Sequence, residues 1–213
     1  MTAVRSARVA AAVTAIVAFA LFLLLGNDVT HRGEPQALVP LESALLNHSS
    51  LIAWWFTWLG YAYVLGPLCI ALIAIAWRFP EWRGRVAFGI VVLLVCWIGA
   101  DFFQHAFARP RRLDWVVKHE TAFSYPSSHA AIAVGFYLLW AEFVRRSDVP
   151  PRIRGALALL LGGVAVGILW SRLALGAHYA TDLFGGALWA LAVIAAGLTA
   201  FPTKVLSPPQ GRP

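Results

Sequence analysis

The sequence predicts an all-α, polytopic membrane protein with six transmembrane helices, on the strength of two observations. The 213 residues are 60% hydrophobic and 13% charged, with a mean hydropathy of +0.72, whereas soluble domains are about half apolar and about a quarter charged. The apolar residues also form runs long enough to cross a bilayer. The predicted spans are about 9–25, 51–77, 86–108, 128–144, 155–170 and 183–201. We expect a single membrane domain over residues 1–213, because these spans leave no room for a second.

The first two spans carry features beyond apolar length. A basic start before the first span would also suit a signal peptide, but no small-x-small cleavage pattern follows Leu25, which favours a transmembrane helix. The second span has Gly66-Pro67 in its middle, and a proline inside a helix predicts a kink. Between the two spans, Gln36–Leu46 has leucines spaced for a short helix on the membrane interface, and a plain loop is equally compatible.

The distribution of positive charge predicts the orientation in the membrane. The net charge is +7, but no soluble segment interleaves a basic cluster with aromatic residues, so nucleic acid is not an expected partner. Six spans put 11 Lys and Arg residues on the side of the termini and 6 on the opposite side. The positive-inside bias then predicts cytoplasmic termini, with the 109–127 loop facing out of the cytoplasm. We expect the chain to lie in a bacterial-type cytoplasmic membrane, with the lipid bilayer as its partner.

The stretch Ser171–Asp182 joins two apolar spans and contains three residues suited to catalysis or anion binding, Arg172, His178 and Asp182. His178 and Asp182 are four residues apart, and on a helix they would share one face. A carboxylate on one imidazole nitrogen fixes the tautomer and leaves the other nitrogen free to attack an electrophile. Arg172 carries a planar fork of donors suited to phosphate. This pattern predicts a nucleophilic histidine, its orienting acid and an anion-binding arginine, and the alternative is a short polar loop with a helix cap.

Polar residues also end the third span. Asp101, Gln104 and His105 lie in its last two turns, and such side chains in a membrane are expected to face a polar cavity. Asp101 and His105 are four residues apart, so we expect them to satisfy each other rather than take part in catalysis.

Three fragments, in order, resemble the three-part signature of the type 2 phosphatidic acid phosphatase family. They are Arg109-Pro110, Pro126-Ser127-Ser128-His129 and Ser171-Arg172-x5-His178-x3-Asp182. Members of that family are integral-membrane lipid phosphate phosphatases, related in active-site plan to the vanadium haloperoxidases. The resemblance covers roughly residues 85–200, and its third fragment matches at every defined position.

The resemblance implies a role for each matching residue. His178 is expected to attack phosphorus, Asp182 to hold its ring, and His129 to serve as general acid and then general base. Arg109 and Arg172 would bind the phosphoryl oxygens. Ser127 and Ser128 would open a helix whose free N–H groups attract an anion. Fixed cations and helix amides would supply the electrostatics, so neither a metal nor another cofactor is expected.

The sequence departs from the signature at two positions. Ser128 stands where the family has Gly, which keeps the backbone donor and is harmless if the residue has helical φ. Phe102 stands seven residues before Arg109, where the family has Lys. If the helix continued to Arg109, residues 102, 105 and 109 would share a face toward the phosphate. His105, Arg111 and Arg112 are the candidate replacements, and Arg111 is the one we expect. Its alternative role is contact with lipid headgroups.

These patterns predict a membrane lipid phosphate or diphosphate phosphatase with a phosphohistidine intermediate and an extracytoplasmic site. A polyprenyl diphosphate is the first candidate substrate, because such carriers reach that face of the membrane. Phosphatidic acid or phosphatidylglycerol phosphate is the second. A lipid phosphotransferase would use the same residues. A lipid-phosphate binder without activity is the non-enzymatic alternative, motivated by Phe102, although it would not need an acid–base set.

Overall fold

The computed structural model describes residues 2–47, 49–112 and 123–201, and these form helices joined by turns. No strand occurs within those ranges, in agreement with the all-α prediction. Residues 113–122 of the predicted 109–127 loop lie outside the described ranges. In chain order the helices are α1 Thr2–Arg32, α2 Val39–Leu45, α3 Leu51–Trp58, α4 Ala62–Arg78, a 3₁₀ turn Pro80–Trp82, α5 Arg83–Phe107, α6 Ser128–Ile132, a π-helical segment Ala133–Leu138, α7 Leu139–Arg145, α8 Pro151–Ala174 and α9 Ala180–Ala200.

The described part of the chain has four to five candidate membrane spans by helix length and hydropathy, so the predicted six are not confirmed. Helices α1, α5, α8 and α9 are each long and apolar enough to cross a membrane. Helices α3 and α4 make a fifth span if the pair, bent by 48° at a short break, counts as one. The predicted span 128–144 is helical, but α6, the π-helical segment and α7 follow one another there in place of one long α-helix.

Helix α1 is longer than its apolar run. The predicted span 9–25 covers only its centre, and the helix continues to Arg32. Two contacts between residues four positions apart stabilise the polar C-terminal end of α1. Asp28 pairs with Arg32 at 3.1 Å, and Nδ1 of His31 lies 2.8 Å from the carbonyl oxygen of Asn27. Such pairs stabilise a helix surface outside the hydrocarbon. The segment predicted as either helix or loop contains the short helix α2.

The second predicted span is broken at residues 59–61 and not at its proline. Pro67 lies inside α4, whereas the 48° bend falls between Trp58 and Ala62. Gly60 lies in this break, and a Cβ at that position would be 2.4 Å from Cδ2 of His129. The glycine therefore admits the imidazole ring at a place where any side chain would collide with it.

The start of α6 packs closely against α9. A Cβ at Gly186 would lie 2.4 Å from the backbone oxygen of Ser127, so only glycine permits this approach. Just before α6, the buried Tyr125 stacks on Phe22 of α1 and donates its hydroxyl to the Phe22 carbonyl at 2.6 Å. The segment that leads into α6 is thus held between α1 and α9. The main apolar core fills the space among α4, α5, α7, α8 and α9.

Candidate active site

The turn between α8 and α9 presents His178. Helix α8 ends at Ala174, and Gly176 follows with φ of +68°, the left-handed conformation that ends many helices. The backbone N–H groups of Ala177 and His178 both donate to the carbonyl of Arg172, at 3.0 and 3.3 Å. His178 is 1% exposed, so the turn carries its imidazole into the interior of the protein.

His178 and Asp182 meet as predicted, but through a helix cap and not along a helix face. His178 precedes α9, and Asp182 lies in its first turn. Nδ1 of His178 is 3.2 Å from Oδ2 of Asp182, which also accepts the backbone N–H of Tyr179 at 3.0 Å. A carboxylate in the first turn of a helix is favoured by the helix dipole. The same cap therefore stabilises α9 and orients the imidazole.

The contacts of His178 assign its proton to Nδ1, because the carboxylate of Asp182 can only accept it there. Nε2 then carries a lone pair, and Nη1 of Arg111 lies 3.4 Å from it. Burial, followed by the positive charges of Arg111 and Arg172, lowers the pKa of His178 well below its ordinary value. The ring is held neutral, which is the form a nucleophile needs.

Arg109 lies on the other side of Asp182 from His178. Its Nη1 donates to Oδ1 of Asp182 at 2.6 Å and to the Thr181 hydroxyl at 2.8 Å, and its Nη2 donates to Glu34 at 2.9 Å. Its guanidinium also stacks over the ring of Tyr179 at 4.2 Å. Removing one partner from such a buried ion pair costs about 3–5 kcal/mol. Arg109 thus holds two buried carboxylates, Asp182 and Glu34, next to the site, and loss of either partner would be costly.

Arg172 is fully buried at the end of α8. Its Nη1 donates to the Thr57 hydroxyl at 3.4 Å, and that hydroxyl is 2.8 Å from the hydroxyl of Ser171. These contacts join α8 to α3 beneath the site. An arginine at this depth carries a permanent charge that a bound anion can neutralise.

His129 and the two serines begin α6. Ser127 caps the helix, since its Oγ accepts the N–H of Ala130 at 3.3 Å, while its own N–H donates to the carbonyl of Asp182 at 3.0 Å. Ser128 is the first helical residue, so serine at this position is unstrained. His129 is 6% exposed and packs edge-on against Tyr61 at 4.9 Å. Its Nε2 is buried and has no hydrogen-bond partner within the described residues.

A cavity of about 300 Å³ brings most of these residues together. Its polar walls come from α5, α6, the end of α8 and the turn that follows it. The lining residues are Gly60, Tyr61, Ala62, Tyr63, Trp97, Asp101, Gln104, Arg111, Ser128, His129, Ile132, Arg172 and His178. Of the eight residues predicted for the site, five line this cavity, whereas Arg109, Ser127 and Asp182 lie behind it. Two arginines and two histidines face one space, an arrangement suited to an anion.

The helix face predicted for residues 102, 105 and 109 does not form. Phe102 is 64% exposed and packs on Phe103, and His105 is exposed with its Nδ1 2.9 Å from the backbone carbonyl of Asp101. Helix α5 ends at Phe107, so Arg109 no longer follows its periodicity. Asp101 and Gln104 line the cavity instead, as the polar end of this span predicted, whereas His105 does not. The expected pairing of the Asp101 and His105 side chains is wrong.

Two carboxylates that sequence reasoning missed complete the surroundings of the site. Glu42 of α2 accepts the N–H of Ala180 at 2.6 Å and pairs with Arg112, and burial raises its pKa. Glu34 accepts the N–H of Thr181 at 3.2 Å. Glu34 lies in the connector between α1 and α2, and Glu42 lies in α2 itself. Within the described residues, no group of three or more His, Cys, Asp and Glu side chains could hold a metal ion.

The sequence and the fold are similar to those of known membrane proteins. The sequence model of the PAP2 superfamily matches residues 86–206. The fold matches the crystal structure of the first transmembrane PAP2 type phosphatidylglycerolphosphate phosphatase from Bacillus subtilis, with a TM-score of 0.68 and 21% identity, over 86% of this chain and 94% of that one. No curated protein matches the chain in sequence. Since the family match spans more than half of the 213 residues, this integral membrane protein belongs to the PAP2 superfamily.

Proposed function

We propose that this chain is a phosphatase that removes a phosphoryl group from a membrane lipid through a phosphohistidine at His178. One observation carries the proposal. His178 turns its lone-pair nitrogen toward a cavity with two arginines, while Asp182 holds the opposite ring nitrogen at 3.2 Å. A binder of lipid phosphate needs the arginines, but it has no use for a neutral, oriented imidazole.

The reaction takes place in two displacements at phosphorus. In the first, Nε2 of His178 bonds to phosphorus, the bond to the lipid oxygen breaks, and His129, which the bound anion keeps protonated, gives its proton to that oxygen. In the second, water gives a proton to His129 and attacks phosphorus. The bond between nitrogen and phosphorus then breaks, inorganic phosphate leaves, and both histidines return to their starting states. Asp182 stabilises the positive charge that His178 carries while phosphorylated.

Arg111 and Arg172 are the residues we assign to the phosphoryl oxygens, together with the backbone N–H of Ser128. Both arginines line the cavity and can meet the charge that builds in the transition state. Arg109, expected from the resemblance to bind phosphate, we assign to Asp182, because its donors already meet two carboxylates. Ser127 we assign to capping α6.

A lipid phosphate monoester is the substrate class we favour, in the manner of phosphatidic acid or phosphatidylglycerol phosphate. Asp101 lines the cavity together with the two arginines. Its negative charge would repel a second phosphoryl group, which favours a monoester over a diphosphate. The match to a phosphatidylglycerolphosphate phosphatase supports the same choice. A polyprenyl diphosphate is the second candidate, favoured by the extracytoplasmic orientation that the positive-inside bias predicts for a site beside the 109–127 loop.

The test is phosphate release from a panel of lipid phosphates by the purified protein in detergent. We expect release from monoesters, with turnover abolished in His178→Ala and reduced less in Asp182→Asn, which keeps the nucleophile. An acid quench with labelled substrate should trap phosphate on His178. Label on serine, or normal turnover in His178→Ala, would refute the mechanism. Transfer of label to a lipid or sugar acceptor would instead identify a phosphotransferase, and binding without turnover a lipid-phosphate binder.

A further inference from the structure

We infer that Glu34 is a positioning residue for the proposed reaction, acting through Arg109 on the Asp182–His178 pair. This inference rests on the proposed function and extends it to a residue well ahead of the family match, which begins at residue 86. Glu34 lies in the connector between α1 and α2, 144 positions before His178 in the chain. Nothing in the family signature draws attention to it.

Glu34 uses both carboxylate oxygens on the machinery around Asp182. Oε2 accepts from Nη2 of Arg109 at 2.9 Å and from the hydroxyl of Thr181, and Oε1 accepts the backbone N–H of Thr181 at 3.2 Å. The side chains of Glu34 and Arg109 are 6% and 3% exposed. A charged pair this deep is screened little by water or salt.

Arg109 passes this interaction on to the catalytic pair. Its Nη1 donates to Oδ1 of Asp182 at 2.6 Å, and Oδ2 of the same carboxylate meets Nδ1 of His178 at 3.2 Å. Glu34, Arg109, Asp182 and His178 therefore form a continuous chain of charge-assisted hydrogen bonds. Such chains polarise one another in a low-dielectric interior.

The charges in this chain explain why a second carboxylate is needed. Arg109 is a permanent cation in contact with Asp182, and alone it would cancel the charge that must stabilise a phosphorylated His178. With Glu34 in place, two carboxylates and one guanidinium leave one net negative charge beside the imidazole. Glu42, which is hydrogen-bonded to Glu34, and its partner Arg112 add one carboxyl group and one guanidinium to the same cluster.

Among the described residues, the other charged groups and histidines that act on His178 or line the cavity with it are Arg111, Arg172, His129 and Asp101. Arg111, Arg172 and a protonated His129 disfavour positive charge on the ring of His178, whereas the carboxylate of Asp101 favours it.

Glu34→Gln tests the inference, since it keeps the size of the side chain and one acceptor oxygen while removing the charge. We expect kcat to fall about tenfold with KM changed by about twofold or less, because the arginines that line the cavity remain. The acid limb of the kcat/KM profile should move to lower pH, because losing a nearby negative charge makes protonation of His178 harder. Asp28→Asn is the matched control: this acid at the end of α1 pairs with Arg32 on the surface, and kcat and the limb should stay unchanged.

A double-mutant cycle separates an action through Arg109 from an independent effect. If Glu34 works through Arg109, adding Glu34→Gln to Arg109→Gln should cost little beyond Arg109→Gln alone. Losses that multiply would overturn the inference. So would a Glu34→Gln protein that melts at a lower temperature but keeps the wild-type kcat and acid limb, since that is a purely structural role.

Two further variants, Glu34→Asp and His178→Ala, test the charge of Glu34 and the proposed function separately. Glu34→Asp retains the charge, so its acid limb should stay at the wild-type pH even if its kcat falls; a displaced limb would overturn the inference. His178→Ala separates the proposed function from the role of Glu34. Normal turnover in His178→Ala refutes the proposed function itself, whereas loss of turnover there with wild-type behaviour in Glu34→Gln refutes only the role of Glu34.

Discussion

Nη1 of Arg111 lies 3.4 Å from Nε2 of His178 and donates to the neighbouring Ala177 carbonyl at 3.0 Å. Gln104 and Arg111 both line the cavity and are seven residues apart. That is the spacing the resemblance assigns to its Lys and Arg, displaced here by two residues from Phe102 and Arg109. The guanidinium in contact with Nε2 of His178 therefore comes from just beyond the matched Arg-Pro pair.

Arg111→Ala should lower kcat about tenfold or more, because a cation that meets the transition state is lost. Arg32→Ala is the control, since Arg32 is an exposed arginine whose carboxylate partner, Asp28, lies on the same helix. Turnover of lipid phosphate in detergent measures both. Equal, small losses in the two variants would make Arg111 a headgroup contact.

The pH dependence of kcat/KM should report the neutral His178. Its pKa is lowered by burial and by the charges of Arg111 and Arg172, so activity should persist below the ordinary imidazole value of about 6.5. Replacing Arg111 with Gln removes one positive charge and raises the pKa of His178, so the acid limb should move to higher pH. Comparing the two proteins on one substrate cancels the ionisation of the phosphate. An unmoved limb would contradict the contact between Arg111 and His178.

Gly60→Ala should impair His129 specifically. The added Cβ would lie 2.4 Å from the imidazole carbon, so the ring must shift from its place beside Tyr61. We expect kcat to fall about tenfold, in line with a misplaced general acid. Gly66→Ala is the matched control in the same bent pair, since a Cβ at that position would meet no atom within 4 Å. Equal turnover in both variants would remove His129 from the mechanism.

The orientation in the membrane can be tested with single cysteines in a protein whose native Cys69 and Cys96 are replaced by Ala. Gln36 lies in the connector after α1, and Asp148 lies in the turn between α7 and α8; both are exposed. With cytoplasmic termini, a cysteine at 36 should react with an impermeant thiol reagent in intact cells, and one at 148 should not. The reverse pattern would invert the topology and weaken the case for an extracytoplasmic substrate.

Metal independence can be tested with a chelator and with vanadate. Because arginines and helix amides surround the proposed phosphate position, we expect activity to survive EDTA. Vanadate adopts the five-coordinate geometry of phosphoryl transfer and should inhibit the enzyme. Activity lost in EDTA and restored by magnesium would refute this expectation.

The features that the sequence predicted correctly depend on contacts between residues close together in the chain. Apolar run lengths predicted that the apolar segments are helical, although six spans are not confirmed. The spacing of His178 and Asp182 predicted their contact. The helix face of Phe102 could not be predicted in the same way. That prediction required α5 to continue to Arg109, whereas the helix ends two residues earlier and Ala108 adopts φ of 52°. A single left-handed residue is enough to remove Arg109 from the helical periodicity.

Long-range contacts could not be read from the sequence. Glu34 and Glu42 lie between the first two predicted spans, where acidic side chains are usually solvated, yet both are held against the start of α9. Gly60 lies within the predicted span 51–77. Only the position of His129, 69 residues later, explains why a side chain at residue 60 would collide. Such partners are set by how the helices pack, and no spacing rule connects them.

The π-helical segment Ala133–Leu138 sets the angular phase between the two ends of one helical stretch. Successive residues of an α-helix turn by about 100°, and a π-helical segment absorbs about one extra residue, so winding the same residues as regular α-helix would rotate one end by about that angle. The end at α7 is held by the buried Trp140 and Phe143, so the rotation would fall on α6. His129 would then turn out of the cavity with every side chain intact. The π-helical winding between His129 and Trp140 is thus as much a part of the candidate site as the imidazole itself.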